Sequence, residues 1–203
     1  MWLTIPGTVI VGYVLGGLPV AVLIARYRRV NIFQEGSGNP GATNIRRVLG
    51  KRAGNVCFVL DCLKGTVAAG WPVWVFQQEP EVGLLGVLGL LAAVLGHRFS
   101  PFIGLRGGKG VATTMGGLLA LMPLVLLIGA VLWGISFFTW RYVSTASLVF
   151  AISLPISTYL LSDSGWFLSL SFTLAILLVL SHSSNLVRLT KGEEYRYKAS
   201  RGK

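Results

Sequence analysis

The chain has 203 residues, 53% hydrophobic and 12% charged, with 18 Lys and Arg against 7 Asp and Glu and a mean hydropathy of +0.69. A soluble domain carries about 25% charged residues and has no need of the charge-free stretches 1–25, 65–78, 82–96, 110–140 and 142–162 found here. Composition therefore excludes an ordinary soluble helical protein, and the net charge of +11 reads as the positive-inside bias of a membrane protein plus an anionic ligand, with no nucleic acid as partner.

The first apolar segment, 3–25, is followed by Arg26, Arg28 and Arg29 and has no basic stretch before it. That is the charge order of a retained span, opposite to a cleaved signal. The second, 56–76, holds Cys57 and Cys62, whose spacing suits neither a metal site nor a disulfide. It also holds Asp61 and Lys64 at i, i+3, read as a structural pair, with a part in shaping a site as the lesser reading. Further apolar segments are expected at 82–97, 111–122, 123–139, 143–161 and 166–184. The connecting stretches 26–55, 98–110, 140–142 and 185–203 carry almost all the basic residues, whereas 77–81 and 162–165 carry Glu79, Glu81 and Asp163 and no Lys or Arg. Basic loops belong in the cytoplasm, so the N-terminus is expected outside and the C-terminus inside.

Parity bears on 111–139. As one helix it would place Arg141 and the basic tail outside; broken before Pro123, it places both inside. Proline lacks the donor that a helix interior needs. The expectation is an all-α polytopic membrane protein, a single domain over 1–203 with seven transmembrane helices. One of them, 111–122, is too short at roughly 18 Å for a core of about 30 Å. The alternative has five spans, with 111–139 as one long helix and 143–184 as a hairpin that does not cross.

Three expected cytoplasmic segments have compositions unlike simple connectors. Gly36 to Arg47 (GSGNPGATNIRR) combines glycines with Ser37, Gly38, Asn39, Thr43, Asn44 and Arg46. Glycine lets the backbone approach a ligand, and arginine contacts phosphate with two prongs. The plainer alternative is a turn between two helices. His97 to Phe102 leads to Arg106, Gly107, Gly108, Lys109 and Gly110 at the start of the short helix, with Thr113 one turn in. Helix N-termini attract anions, although the Walker A spacing is absent; a flexible basic linker is the alternative. In Ser181 to Glu194, His182, Asn185 and Leu189 share one helix face by spacing, with Arg188 and Glu193 nearby. A lone histidine is more often structural, but polar groups at membrane depth are costly and usually have a purpose.

Together, GSGNPGATNIRR at 36–47, GHRFSPF at 96–102 with GGKGVAT at 107–113, and SHSSNLVRL with KGEE through 194 resemble the acyl-phosphate:glycerol-3-phosphate acyltransferase (PlsY) family of bacterial inner membranes. The resemblance covers essentially the whole chain. It implies acyl transfer from acyl phosphate to the 1-hydroxyl of sn-glycerol 3-phosphate, giving 1-acyl-glycerol 3-phosphate (lysophosphatidic acid) and phosphate, the first acylation of phospholipid biosynthesis. It further implies no cofactor and no metal, a multi-pass protein of the inner membrane with a cytoplasm-facing site, contact with membrane lipid, and the enzyme that supplies acyl phosphate as a possible protein partner.

On that basis Ser37, Lys109, His182 and Asn185 are the expected catalytic residues. Gly38, Asn39, Thr43, Asn44, Arg46, Arg106, Gly107, Gly108, Gly110, Thr113, Arg188 and Glu193 are the expected phosphate- and glycerol-binding residues. Which phosphate occupies which segment stays open, as does the proton acceptor: Ser37, His182 or the substrate's own phosphate. A His-x4-Asp dyad is absent, because Phe102 and Val187 stand where the aspartate would follow His97 and His182. A phosphometabolite transporter would need midplane polar groups and usually inverted repeats, and neither is visible. A scaffold protein would not need three such polar segments.

Overall fold

The structure, a computed structural model, describes residues 4–78 and 81–197. Glu79, one of the acidic-loop residues above, and the last six residues of the basic tail lie outside the described residues. Within the described residues the chain forms α-helices joined by turns and by two longer loops, 28–41 and 99–110, without a strand, and it divides into two compact units, one through Pro123 and the other from Leu124.

The first unit begins with α1 (Thr4–Gly17) and α2 (Val20–Tyr27), two halves of one apolar stretch interrupted at Leu18 and Pro19. Proline's missing N–H breaks the ladder there. Amphipathic α3 (Ala42–Leu49) turns through Gly50, at φ 89°, into α4 (Lys51–Val75). α5 (Val82–Arg98) is followed by a 3-10 turn at Pro101–Ile103, and α6 (Val111–Leu121) starts from Gly110, also at φ 89°. Both glycines sit in the left-handed region that side chains disfavour.

Small residues let these backbones meet. A Cβ on Gly16 of α1 would overlap backbone atoms of Ala93 in α5, one on Gly65 of α4 would strike the Thr113 carbonyl, and one on Gly116 of α6 would strike the Cys62 carbonyl. In lipid no hydrophobic force drives apolar helices together, so close packing of small residues holds them.

The second unit contains α7 (Pro123–Trp140) beyond its first residue, then α8 (Val143–Leu161), α9 (Gly165–Ser181) and α10 (Ser183–Thr190), the last bent 54° from α9. Phe150 of α8 fills the space at Gly129 of α7, and buried Thr158 and Ser171 join α8 to α9 through a 2.6 Å hydroxyl pair.

Among the described residues each of the seven expected apolar segments is mostly helical, with 3–25 interrupted at Leu18 and Pro19. The break before Pro123 is present: α6 ends at Leu121 and α7 begins at Pro123. Thr4–Tyr27, Lys51–Val75, Val82–Ile103, Pro123–Trp140 and Val143–Leu161 are each long and apolar enough to cross a membrane, α9 joins them when taken with α10, and α6 has 11 residues. That length is about 16 Å, roughly half a hydrocarbon core.

Candidate active site

Each unit presents one polar cluster. In the first, the glycine-rich segment before α3 is shaped by Asn44. This residue is buried in the first turn of α3. Its Oδ1 accepts from the Ser37 N–H at 2.9 Å, and its Nδ2 donates to the carbonyls of Glu35 at 2.9 Å and Ile32 at 3.5 Å. Arg47 donates to the same Oδ1 at 3.2 Å. One amide therefore satisfies a turn with few partners of its own, as a buried polar group must be satisfied. Gly36 and Gly38 lie at φ 59° and 68°, and a Cβ at Gly36 would run into Asn44 Oδ1. Asn44, expected among the phosphate- and glycerol-binding residues, is buried and frames the loop that presents half-buried Ser37 and Asn39. Thr43 is exposed, and half-buried Arg46 reaches Asn55 Oδ1 at 3.4 Å.

The loop before α6 lies against this one. The Gly108 N–H donates to the His97 carbonyl at 3.1 Å. A Cβ at Gly107 would overlap the His97 carbonyl, and one at Gly108 would overlap the His97 ring while standing 3.1 Å from the Pro40 carbonyl. The exposed Arg106 guanidinium lies 4.6 Å from the Phe33 ring centroid, a cation–π contact between the two loops. The structure thus joins the first two sequence motifs around an α6 N-terminus that carries no side-chain cap bond. The amides of a first helical turn have no intrahelical acceptor and form a positive dipole end. Half-buried Lys109 adds a full charge beside them. Thr113 lies deeper, buried in the α4–α6 packing, and its Oγ1 has no hydrogen-bond partner among the described residues.

Beneath the loops sits a buried charged cluster. Lys64 Nζ is 2.9 Å from Asp61 Oδ1, 2.7 Å from His97 Nδ1 and 3.1 Å from the Leu18 carbonyl at the α1–α2 break. Ser100 Oγ donates to the Gly17 carbonyl at 2.6 Å, tying the 98–101 turn to the same break. A small recess opens here, lined by Leu18, Pro40, Asp61, His97, Gly107 and Gly108 among others.

The second unit's cluster centres on Glu194. Its Oε1 accepts from Asn185 Nδ2 at 2.7 Å and Ser144 Oγ at 2.9 Å, and its Oε2 accepts from Arg188 Nε at 2.9 Å. Asn185 is buried, while Glu193, expected with Arg188 among the substrate-binding residues, is exposed. Buried His182 marks the α9–α10 bend; its Nδ1 is 2.8 Å from the Leu178 carbonyl, and its own carbonyl accepts the Asn185 N–H at 2.9 Å.

Three features escaped the sequence reading. Glu194 stands beside Glu193, and spacing alone does not choose between adjacent carboxylates. Ser144 lies 50 residues from Glu194, and no local pattern signals such a contact. His97 belongs to a recognised motif, and Asp61 and Lys64 were paired by their spacing. Their convergence with His97 needed α5 packed on α4.

A model of the glycerol-3-phosphate acyltransferase family matches residues 7–192. The glycerol-3-phosphate acyltransferase of Geotalea daltonii is 38% identical over 94% of this chain and 96% of its own. That of Lactiplantibacillus plantarum is 41% identical over 91% and 88%. The crystal structure of PlsY (YgiH), an integral membrane glycerol 3-phosphate acyltransferase, in its glycerol 3-phosphate form is 36% identical and superposes with a TM-score of 0.89 over 96% of both chains. Its lysophosphatidic acid form gives 0.87, covering 96% of this chain and 95% of that one. Extended identity, a family match across both units and a shared helical architecture lead to one conclusion: this multi-pass integral membrane protein belongs to the glycerol-3-phosphate acyltransferase family.

Proposed function

We propose that the chain transfers a fatty acyl group from acyl phosphate to the 1-hydroxyl of sn-glycerol 3-phosphate, releasing phosphate and 1-acyl-sn-glycerol 3-phosphate, as the first acylation of bacterial phospholipid synthesis. The observation that carries this reading is the apposition of the Ser37–Pro40 and Gly107–Gly110 loops at the start of α6, where Gly108 stands against both His97 and the Pro40 carbonyl. Both proposed substrates bear phosphate, and this is an anion-seeking surface on a lipid-embedded protein. The solved PlsY forms with glycerol 3-phosphate and lysophosphatidic acid support the acceptor and the product. The family match from 7 to 192 supports one acyltransferase domain over the chain.

Acyl phosphate is a mixed anhydride with a good leaving group, so positioning and charge stabilisation can carry the reaction. In the proposed mechanism Lys109 and the amides of Gly107, Gly108 and Gly110 hold one phosphate, with Arg106 beside them. Ser37, Gly38, Asn39, Thr43 and Arg46 hold the other. His182 and Asn185 orient the glycerol hydroxyl or the acyl phosphate, with Arg188 behind them. As the hydroxyl oxygen bonds to the acyl carbon, the C–O bond to phosphate breaks. The hydroxyl proton passes to Ser37, His182 or a substrate phosphate. Asn44 acts from behind Ser37 as a framing residue.

The site is proposed to face the cytoplasm of a bacterial inner membrane, where glycerol 3-phosphate is soluble and the acyl tail stays in lipid. The segregation of basic from acidic loops supports that orientation, and seven crossings with α6 as a short one satisfy it. Labelling a cysteine placed at Arg141 from either side of a sealed vesicle tests this; external labelling refutes it. The function is tested by incubating purified protein with acyl phosphate and glycerol 3-phosphate and measuring phosphate release. Acceptor-dependent release is expected, and its absence refutes the assignment. Lys109→Ala and His182→Ala should each lower turnover on the order of 10²-fold or more, the scale of losing a transition-state donor; near-normal turnover in either removes that residue from the mechanism.

A further inference from the structure

The buried Asp61–Lys64–His97 cluster is more ordered than burial of a charge pair requires. Lysine has three N–H donors and no acceptor. The three neighbours of Lys64 Nζ are an Asp61 carboxylate oxygen at 2.9 Å, the Leu18 carbonyl at 3.1 Å and His97 Nδ1 at 2.7 Å. An ammonium has no lone pair to accept with, so in the 2.7 Å Lys64–His97 contact Nδ1 accepts. An imidazole that accepts at Nδ1 carries its proton on Nε2. That second nitrogen points at Gly108, where even a Cβ would strike it, on the wall of the recess that Gly107, Gly108 and Pro40 also line. The His97 side chain is only 9% exposed, and its Nε2 has no hydrogen-bond partner among the described residues.

We propose that His97 is a substrate-binding residue. Lys64 and Asp61 hold it as the Nε2–H tautomer, and that N–H donates to a phosphate oxygen of a substrate seated on the Gly107–Gly110 backbone. The residue then serves two ends. Its carbonyl fixes the Gly108 amide at 3.1 Å, and its Nε2 supplies a directional donor from the recess wall beside Lys109. Lys64 and Asp61 are positioning residues, acting only through the ring. The missing Cβ at Gly108 is what lets an imidazole stand so close to the loop. This inference rests on the acyltransferase reading for its ligand, since the phosphate belongs to either acyl phosphate or glycerol 3-phosphate.

The test separates those sources and survives failure of the reading. With histidine ring nitrogens 15N-labelled in the full-length protein, one of its two histidines is expected as an Nε2–H tautomer whose signal moves when inorganic phosphate is added. His97→Gln should remove that signal. In titrations with inorganic phosphate and with glycerol 3-phosphate, His97→Ala should weaken binding on the order of 10- to 100-fold, the loss of a hydrogen bond to a charged group. His97→Gln, which keeps an amide donor, should restore part of it. In turnover, KM should rise for the one substrate whose phosphate sits there, with a smaller change in kcat, and that substrate is thereby identified. The paired Asp61→Asn, Lys64→Met variant should reproduce the KM effect without touching the ring. An Nδ1–H tautomer, or a His97 signal unmoved by saturating phosphate, overturns the inference whether or not any variant folds. Wild-type protein that binds phosphate through His97 yet does not turn over acyl phosphate overturns the acyltransferase reading alone.

Discussion

Glu194 gives a quantitative test of how the second unit's cluster is built. Its carboxylate accepts from Asn185, Ser144 and Arg188 at 2.7, 2.9 and 2.9 Å, and its side chain is 6% exposed against 27% for Arg188. Hydrogen bonds to a charged group contribute roughly 1.5–3 kcal/mol each. The low end suits the two neutral donors, and the partly solvated arginine pair adds on the order of 0.5 kcal/mol. Glu194→Ala should therefore destabilise by about 3–4 kcal/mol, with a thermal midpoint lowered by roughly 6–16 °C at this chain length. Glu194→Gln should be intermediate, because it keeps one acceptor oxygen but turns an NH2 toward either Arg188 or the Asn185–Ser144 pair. Glu193→Ala, at an exposed position one residue away, should lie within about 0.5 kcal/mol of wild type. Thermal unfolding of the purified protein in detergent, with acyl transfer measured on the same samples, reads all three. If Glu193→Ala proves the more damaging, or if Glu194→Ala unfolds at the wild-type temperature, the cluster does not carry the load assigned to it.

Two further substitutions probe the first unit. Asn44→Leu removes the acceptor for Ser37 and the donor to Glu35 and Ile32 while keeping bulk. It should cost about 2–3 kcal/mol through unsatisfied buried groups and speed proteolysis at residues 32–41, and an unchanged cleavage rate would show that the loop is held by other contacts. Gly116→Ala places a methyl on the Cys62 carbonyl; overpacking of this kind typically costs roughly 1–3 kcal/mol, which denaturant or thermal melts would detect, and a neutral result would mean that α4 and α6 separate without penalty.

The sequence by itself determined the helical membrane class, the seven apolar segments and the break before Pro123. These follow from local quantities: runs without charge, a proline that cannot donate, and loop charges sorted by sign. It also located all three polar motifs, because clusters of glycine, asparagine and arginine stand out against apolar surroundings. It did not assign work within them. Asn44 and Thr43 are neighbours of similar polarity, yet one is buried as the frame of a loop and the other is exposed. Glu193 and Glu194 differ only in which one the turn after α10 directs at Asn185 and Arg188. Local patterns specify residue type and spacing, whereas burial and direction depend on helices brought together across long separations. Lys64 meets His97 over 33 residues and the Leu18 carbonyl over 46, and that meeting exists only because glycine-lined helices pack closely enough for a lysine to span three partners at once.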